Sequence, residues 1–204
     1  MRGLYAITPE CADTGALLER VARALEGGIA FLQYRSKLPD AGLRAEQARA
    51  LLRLCRERGV PFIVNDDVGL AMAIDADGAH LGKDDGEVSA ARLALGGKLL
   101  GVSCYDRLDV AHRAVELGAD YVAFGSVFLS GTKPGAVPAP LGLFARAHTL
   151  GVPLVAIGGI TVENAHKVLA AGADCLAVIS DLFGAPDIAA RAGQYRQFFE
   201  RRPL

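Results

Sequence analysis

The sequence has few of the features that mark secreted or membrane-bound proteins. Its 204 residues include four cysteines, which are far apart and form no C-x-x-C pair, and the first residues lack the charged-then-apolar pattern of a signal peptide. No apolar run reaches the roughly 18 residues that suggest a membrane span, because Asp120 and Asp174 interrupt the two most apolar stretches. These absences predict a reduced protein of the cytoplasm.

The sequence also lacks an excess of charge and any cluster of histidines. Lys and Arg number 22 and Asp and Glu number 23, so the formal net charge is -1. A nearly neutral chain has no global attraction to nucleic acid or anionic membrane, and neither partner is expected; any anion site must be a local concentration of cations. The four histidines, at positions 80, 112, 148 and 166, are too scattered for a His-based metal site.

What the sequence does have is a series of eight short apolar runs with helix-length segments between them. Runs that are apolar at nearly every position are typical of parallel strands buried on both faces. The segments between them carry helical periodicity, and we predict that the first two helices end at Gly27 and Gly59 as C-caps. The runs lie at residues 3–8, 30–35, 61–66, 78–82, 99–104, 121–128, 153–159 and 175–180.

Eight βα units predict an α/β fold, a (β/α)₈ TIM barrel that forms one compact domain over residues 1–204. An internal echo, GADYVAFGS at 118–126 and GADCLAVIS at 172–180, supports regular repetition. A doubly wound open sheet is the alternative, but no G-x-G-x-x-G follows the first apolar run. In a barrel of this kind the chemistry lies at the C-terminal ends of the strands, so the polar residues there form the candidate site.

Two aspartates follow two successive apolar runs within residues 61–85. If both runs are barrel strands, Asp66 and Asp85 project into the same mouth, where they could share Mg²⁺ with phosphate oxygens and water. Asn65 would be a neutral hydrogen-bonding partner. The structural alternative is that the aspartates begin a turn or cap a helix, and we assign that role to Asp67 and Asp84.

The segment after the second run, Gln33-Tyr34-Arg35-Ser36-Lys37, is a candidate phosphate site. Alternation along a strand end would place Gln33, Arg35 and Lys37 on one side. Two cations and an amide suit a phosphate or pyrophosphate, although long side chains at a strand end can also simply reach solvent. We predict that the whole segment binds substrate.

A second anion site is predicted at the last two strand ends. Gly158, Gly159 and Thr161 read as a tight turn that leads to a helix N-terminus, with amides facing a ligand. Ile179 and Ser180 end the next run, and the loops after strands 7 and 8 commonly hold phosphate in these barrels. A purely structural Gly-Gly turn is the alternative.

Strands 5 and 6 contribute the remaining candidates. Ser103 faces the same mouth, whereas we interpret Cys104 as a buried apolar filler because no histidine accompanies it. His80 is interpreted as a satisfied core histidine. The loop after strand 6 could close over a substrate or be a flexible turn. Its candidate residues are Ser130, Gly131, Thr132 and Lys133.

These residues together resemble the thiamine phosphate synthase family, over nearly the whole chain. The shared motifs are Q-x-R-x-K at 33–37, N-D at 65–66, G-x-D-D at 82–85, G-V-S at 101–103, T-K at 132–133, I-G-G-I at 157–160 and I-S at 179–180. The resemblance implies a (β/α)₈ barrel and a transferase of thiamine biosynthesis. It implies that 4-amino-5-hydroxymethyl-2-methylpyrimidine diphosphate is joined to 4-methyl-5-(2-phosphoethyl)thiazole, which gives thiamine phosphate and pyrophosphate by a dissociative mechanism.

The resemblance also implies a role for each motif residue. Mg²⁺ would bind Asp66 and Asp85, and the catalytic residues would be Arg35, Lys37, Ser103 and Lys133. The pyrimidine diphosphate would be held by Gln33, Arg35, Lys37, Asn65, Ser103 and Lys133. The thiazole phosphate would lie against Ser130, Gly131, Thr132, Gly159, Ile179 and Ser180.

The chain departs from the family pattern in two places. Many members carry a small residue and then histidine after G-V-S, whereas this chain has Cys104 and Tyr105, and Ser130-Gly131 replaces a commoner version of the strand 6 loop. One alternative function is that of the related thiazole tautomerase, which lacks the paired aspartates and relies on a histidine after strand 5. Another is a non-catalytic phosphate-binding regulator. Homo-oligomerisation is left open.

Overall fold

Eight parallel strands pair in chain order, and β8 pairs with β1 to close a barrel. They are β1 Gly3–Ile7, β2 Phe31–Tyr34, β3 Phe62–Asn65, β4 Gly78–Leu81, β5 Leu99–Tyr105, β6 Tyr121–Phe124, β7 Leu154–Ile157 and β8 Cys175–Val178. The computed structural model describes residues 1–129 and 139–200. It confirms the (β/α)₈ barrel and excludes the open sheet.

Helices separate the strands and cover the outside of the barrel. They are α1 Thr14–Gly27, α2 Ala41–Glu57, α3 Val68–Ala73, α4 Val88–Leu95, α5 Leu108–Glu116, α6 Gly142–Ala147, α7 Ala165–Ala170, α8 Ser180–Phe183 and α9 Ile188–Glu200, with a short 3₁₀ helix at His148–Leu150. After β8 the chain forms the four-residue α8 and then α9, which packs against α1. Within the described ranges, no helix is long and apolar enough to cross a membrane.

Alternation along each strand divides the core into two layers. Leu4 and Ala6 of β1 point to the helices, whereas Tyr5 and Ile7 point into the barrel. The inner layer is the smaller one and consists of Tyr5, Ile7, Ile63, Tyr121, Ala123, Val155, Cys175 and Ala177. Inward-facing side chains near the carboxyl ends of the strands therefore line the floor of the mouth, where the site is predicted.

The repeated G-A-D pattern has a structural cause at the opposite end of the barrel. The carboxylate of Asp120, just before β6, accepts a hydrogen bond from the backbone N–H of Leu100 in β5 at 2.7 Å. Asp174, just before β8, does the same for Leu154 of β7 at 2.9 Å. Each aspartate satisfies a strand-end donor that would otherwise lack a partner, so the echo serves stability.

The predicted helix ends are displaced by one residue. Gly27 is the last residue of α1, and Gly28 is the C-cap, with a φ of 91° and its N–H donating to Leu25 O. Likewise Arg58 caps α2, and Gly59 follows it at a φ of 65°. The prediction that Gly27 and Gly59 are the C-caps is wrong in opposite directions: the left-handed C-cap of α1 comes one residue later, at Gly28, whereas α2 is capped one residue earlier, by Arg58, and Gly59 supplies the left-handed residue after the cap.

Gly27 is instead required for the close contact between α1 and α9. A Cβ atom at position 27 would lie 2.3 Å from Ala189 O and 2.5 Å from the Ala192 Cβ. Gly27→Ala should therefore lower the free energy of unfolding by about 1–3 kcal/mol through overpacking, as measured by urea denaturation. Gly193→Ala in α9 is the matched control, because the new Cβ would meet only Gly27 O at 4.0 Å. It should stabilise the helix by about 0.5–1 kcal/mol, and equal destabilisation by both variants would contradict this explanation.

Candidate active site

The two predicted metal-binding aspartates lie together at the mouth of the barrel. Asp66 follows β3, and its carboxylate accepts a hydrogen bond from Lys37 Nζ at 2.5 Å. Asp85 follows β4, and its Oδ2 accepts from the backbone N–H of Gly82 at 2.8 Å. The two carboxyl groups are close enough to shift each other's pKa. Asp66 and Asp85, which a helix-length segment separates in sequence, thus lie together in the structure.

The electrostatics of this pair are those of two acids that share one site. Burial first, and then the neighbouring Asp85 carboxyl, raises the pKa of Asp66. The hydrogen bond with Asp66 lowers the pKa of Asp85, and Lys37 acts in the same direction. Two carboxylates so close repel each other, so the pair favours a bound cation. Lys37 supplies part of that positive charge.

Local backbone geometry explains why these residue types stand here. Asp66 has a φ of 65°, a left-handed conformation that Asp and Asn tolerate better than other non-glycine residues. Gly82 leaves room for the Asp85 carboxylate to fold back, because a Cβ at position 82 would meet Asp85 Oδ2 at 2.7 Å. Both loops are therefore shaped to present a carboxylate at the mouth.

The helix-cap alternative applies to the neighbouring acid and not to the pair. Asp67 is the N-cap of α3, and its side chain accepts from Leu70 N at 2.7 Å, as predicted. The N-cap of α4 is Glu87, so Asp85 does not cap that helix. Asp84 lies in the turn between β4 and α4 and does not cap that helix either.

The Gln33–Lys37 segment is only partly arranged as alternation predicts. β2 ends at Tyr34, so Arg35 and Lys37 belong to an irregular loop beyond it. Gln33 is buried and faces the barrel interior, where its Nε2 donates to the Tyr5 hydroxyl at 3.0 Å. Lys37 reaches the mouth by another route, through its ion pair with Asp66.

Tyr34 is not brought to the mouth. Its ring packs in the outer layer, stacked on Phe62 with ring centroids 6.5 Å apart. Its hydroxyl donates to Gln47 Oε1 of α2 at 2.8 Å. Alternation places a residue next to an inward-facing glutamine on the opposite face, so the side chain of Tyr34 serves the core.

The loop after β1 holds this cationic segment in place. The hydroxyl of Thr8 accepts from Arg35 N at 2.9 Å and donates to Arg35 O at 3.1 Å. The carboxylate of Glu10 accepts from Ser36 Oγ at 3.1 Å and from Lys37 N at 3.0 Å. The backbone that carries Arg35 and Lys37 is therefore positioned by side chains of the first strand end.

Removing the Thr8 hydroxyl should loosen Arg35. Thr8→Val keeps the shape of the side chain but leaves the N–H and C=O of Arg35 without this partner. We expect the free energy of unfolding to fall by about 1–3 kcal/mol and turnover to fall with it. Urea denaturation and steady-state kinetics measure the two effects. Thr8→Ser retains the hydroxyl and should restore both, and a Thr8→Ser variant as impaired as Thr8→Val would contradict the assignment.

Ser103 and Asn65 stand at the floor of the mouth. Ser103 lies near the end of β5, and its hydroxyl is 2.8 Å from His80 Nε2. Asn65 is the last residue of β3 and lies opposite His80 in the strand register. Cys104, by contrast, is fully buried in the outer layer, where burial raises its pKa to about 12. The thiol is therefore not ionised at neutral pH, which agrees with the interpretation of Cys104 as a buried apolar filler.

His80 is satisfied, as predicted, but its partners connect it to the site. It is 5% exposed, its Nδ1 lies 3.1 Å from the Tyr121 hydroxyl, and its Nε2 contacts Ser103. Burial lowers its pKa to about 4, so the imidazole is neutral at physiological pH. Tyr5 and Tyr121 extend the same hydrogen-bonded group and are not among the residues predicted from sequence. The available signal was a hydroxyl at an inward-facing position of an otherwise apolar strand.

The structure corrects one part of the predicted second anion site, which otherwise stays a prediction. Gly158 and Gly159 follow β7 at φ values of 102° and 62°. The next helix, α7, does not start at Thr161 as expected but at Ala165. Asn164 accounts for the difference, because its Oδ1 accepts from Thr161 N and its Nδ2 donates to Gly159 O, each at 2.9 Å. The turn between Gly159 and α7 is thus closed by a side chain and not by a helix end.

The segment after β6 lies against the same glycines. Phe128 N donates to Gly158 O at 3.1 Å, and a Cβ at Gly159 would meet Leu129 O at 2.4 Å. The close approach requires glycine at position 159. Ile179 and Ser180 lie where β8 passes into α8, with Ile179 as its N-cap. Four of the predicted site residues lie outside the described residues, namely Ser130, Gly131, Thr132 and Lys133.

Tyr105 occupies the position at which the sequence departs from the family pattern. It has a φ of 54° at the end of β5 and is 40% exposed. Its hydroxyl accepts from Lys83 N at 3.4 Å. This contact places Tyr105 against the loop that carries Asp85, on the same side of the mouth.

Comparison with known proteins assigns the chain to a family. Residues 4–182 match the family described as thiamine monophosphate synthase. The chain belongs to that family. The thiamine-phosphate synthase of Aromatoleum aromaticum is 59% identical, with 98% of this chain and 97% of that protein covered. The thiamine-phosphate synthase of Methylobacillus flagellatus is 54% identical, over 98% and 96% of the two chains.

Solved structures agree with the assignment to the thiamine monophosphate synthase family. The thiamine phosphate pyrophosphorylase of Pyrococcus furiosus is 36% identical and superposes with a TM-score of 0.88, over 97% of this chain and 95% of that one. A 3-hexulose-6-phosphate synthase at 23% identity has a TM-score of 0.72, over 97% and 99% of the two chains. At that identity it shares the fold alone.

Proposed function

We propose that this protein is a thiamine phosphate synthase. It would join 4-amino-5-hydroxymethyl-2-methylpyrimidine diphosphate to 4-methyl-5-(2-phosphoethyl)thiazole and release pyrophosphate. The observation that carries the proposal is the Asp66–Asp85 carboxyl pair with Lys37 beside it at the barrel mouth, in a chain of this family. A leaving diphosphate needs such a cluster of countercharges.

The pyrimidine diphosphate site would extend from the barrel floor to the rim. Gln33, Asn65 and Ser103 stand at the ends of inward-facing strand positions and would hold the ring. Arg35 and Lys37, on the loop after β2, would hold the diphosphate together with Lys133. Ser36 lies between them, and Tyr34 would contribute only its backbone because its side chain faces α2.

The residues present fit a magnesium ion. Mg²⁺ prefers hard oxygen ligands, and it usually takes one or two carboxylates together with waters and substrate phosphate oxygens. Asp66 and Asp85 supply two carboxylates within reach of each other, and the described residues hold no larger group of His, Cys, Asp and Glu that would suggest another metal. When bound, the ion would neutralise charge on the diphosphate and make it a better leaving group.

The chain's own residues would act by position and charge. In the dissociative reaction the bond between the pyrimidine methylene carbon and the diphosphate oxygen breaks first, and pyrophosphate leaves with the electron pair. The thiazole nitrogen then donates its lone pair to the methylene cation, which forms the new C–N bond. Arg35, Lys37 and Lys133 would stabilise the charge on the leaving group, and Ser103 would orient the ring. This chemistry needs no side-chain nucleophile, in agreement with the raised pKa of Cys104.

The thiazole phosphate would occupy the second site. Gly159 follows β7, and Ile179 and Ser180 follow the neighbouring strand β8 at the start of α8. Leu129, after β6, lies against Gly159. Ser130, Gly131 and Thr132 of the loop after β6 would complete the site. A cytoplasmic location stays a prediction, and homo-oligomerisation stays open.

A product assay tests the function against its two alternatives. Purified protein with both substrates and Mg²⁺ should yield thiamine phosphate, detected by chromatography, and omission of any one component should abolish the product. A thiazole tautomerase would isomerise the thiazole carboxylate and form no coupled product. A regulator would bind a phosphate ligand without turnover, and either result would overturn the proposal.

A further inference from the structure

A chain of polar side chains crosses the otherwise apolar interior of the barrel. Gln33 Nε2 donates to the Tyr5 hydroxyl at 3.0 Å, which lies 2.8 Å from the Tyr121 hydroxyl. The Tyr121 hydroxyl is 3.1 Å from His80 Nδ1, and His80 Nε2 is 2.8 Å from Ser103 Oγ. We call these five residues the inner chain. Both of its ends are residues proposed above to hold the pyrimidine ring.

The proton positions in the inner chain follow from its first bond. A tyrosine hydroxyl has one proton to donate. Tyr5 accepts from Gln33, and among the described contacts the Tyr121 hydroxyl is the one acceptor for its own buried proton, so Tyr5 donates to Tyr121. Tyr121 in turn donates to His80 Nδ1. The neutral imidazole must then carry its proton on Nε2 and donate it to Ser103. Ser103 therefore keeps its own proton for a ligand, and the amide of Gln33 keeps its carbonyl oxygen as an acceptor.

Burial couples the donor-to-acceptor directions of all the hydrogen bonds in the inner chain. Tyr5, Tyr121, His80 and Gln33 are 1%, 0%, 5% and 3% exposed. A buried donor or acceptor without a partner is destabilising, so one bond cannot reverse alone. Reversal requires a flip of the amide, rotation of two hydroxyls and a change of histidine tautomer, all together.

An aminopyrimidine requires one of these two directions. Its exocyclic amino group donates hydrogen bonds, and the ring nitrogen beside it accepts one. The direction derived above offers the complementary pair, an acceptor at Gln33 and a donor at Ser103. A pyrimidinone, in which the oxygen accepts and the ring N–H donates, would require the reverse.

We propose that Tyr5, Tyr121 and His80 are positioning residues that fix the hydrogen-bond polarity that Gln33 and Ser103 present to the aminopyrimidine ring. This inference rests on the proposed function. The three side chains do not touch the reacting atoms. They select an amino-substituted ring over an oxo-substituted one by holding the two ligand-binding groups in a single protonation pattern.

Tyr121→Phe tests the proposal, because it removes the central hydroxyl and changes the volume little. We expect the Kd of the aminopyrimidine diphosphate, measured by calorimetry without thiazole phosphate, to rise about tenfold. The Kd of thiazole phosphate should stay within about twofold. The ratio of the Kd values for the pyrimidinone and aminopyrimidine diphosphates should fall about tenfold, since either polarity is then accessible.

The matched control removes another buried tyrosine hydroxyl. Tyr195 is 0% exposed, and its hydroxyl donates to Asp181 Oδ2 at 2.7 Å in the outer layer. Tyr195→Phe should lower the Tm in the same way as Tyr121→Phe but leave the Kd ratio for the two rings unchanged. An equal change of that ratio in both variants, or no change in Tyr121→Phe, would overturn the proposal.

Nitrogen NMR of histidine-labelled protein tests the same point without substrate. His80 should be the neutral Nε2–H tautomer in the wild type and should lose that single state in Tyr121→Phe. The Nδ1–H tautomer in the wild type would contradict the derived direction. If the wild type makes thiamine phosphate and Tyr121→Phe leaves the Kd ratio for the two rings unchanged, only this inference is disproved. If the wild type makes no product, the proposed function is disproved, and the tautomer of His80 can still be measured.

Discussion

Asp66→Asn should lower the rate of pyrophosphate release by roughly 10²–10³-fold, whereas Asp67→Asn should leave it nearly unchanged. Asparagine tolerates the left-handed backbone of residue 66, so the fold should be retained while one of the two carboxylates is lost. The same substitution one residue later is a matched control, because Asp67 caps α3 and asparagine caps helices equally well.

The measurement is a coupled assay of pyrophosphate at saturating Mg²⁺, with calorimetry of thiazole phosphate binding alongside. Thiazole phosphate should bind Asp66→Asn with an unchanged Kd, because its proposed site lies at the ends of β7 and β8. Wild-type rates in Asp66→Asn would disprove the metal assignment. Loss of thiazole phosphate binding together with the rate would show that the substitution had damaged the whole mouth.

Arg35→Ala should lower kcat by roughly 10²–10³-fold, and Arg35→Lys should recover only part of it. A guanidinium can hold two phosphate oxygens at once, whereas an ammonium is a point charge. The backbone of Arg35 is held by Thr8 through both its N–H and its C=O. Loss of the side chain should therefore leave the loop in place.

Steady-state kinetics with both substrates measures this effect, and Arg53→Ala is the control. Arg53 is exposed on α2, on the outside of the barrel, and its removal should change neither kcat nor KM. If Arg35→Ala raised only KM and left kcat intact, the side chain would bind the ground state and transition state equally. That result would contradict a role in stabilising the leaving group.

The barrel and the carboxyl pair were predictable from sequence because both follow from local patterns, namely the apolar runs and the polar residues that end them. Apolar runs without alternation indicate strands buried on both faces, and all eight correspond to observed strands. Once the strands are placed, Asp66 and Asp85 must stand at adjacent strand ends, since β3 and β4 are neighbours. The capping role of Asp67 follows equally from its place before a helix.

Other parts of the site depend on contacts that no local pattern contains. The hydroxyls of Tyr5 and Tyr121 meet across 116 positions of sequence, and only barrel closure brings β1 and β6 to face each other. The side chain of Tyr34 is turned outward because β2 ends there and its alternation is fixed by the buried Gln33. The delayed start of α7 depends on the side chain of Asn164, which bonds back to Gly159 and Thr161.

Simultaneous quantification of both products in one reaction tests the central claim most directly. Purified protein, the pyrimidine diphosphate, the thiazole phosphate and Mg²⁺ are mixed, and thiamine phosphate and pyrophosphate are measured in the same sample over time. Because the pyrimidine diphosphate and the thiazole phosphate are proposed to bind side by side at the barrel mouth, we expect the two products to appear in equal amounts. Neither product should appear without Mg²⁺. Pyrophosphate release without thiamine phosphate, or no reaction with authentic substrates, would contradict the account.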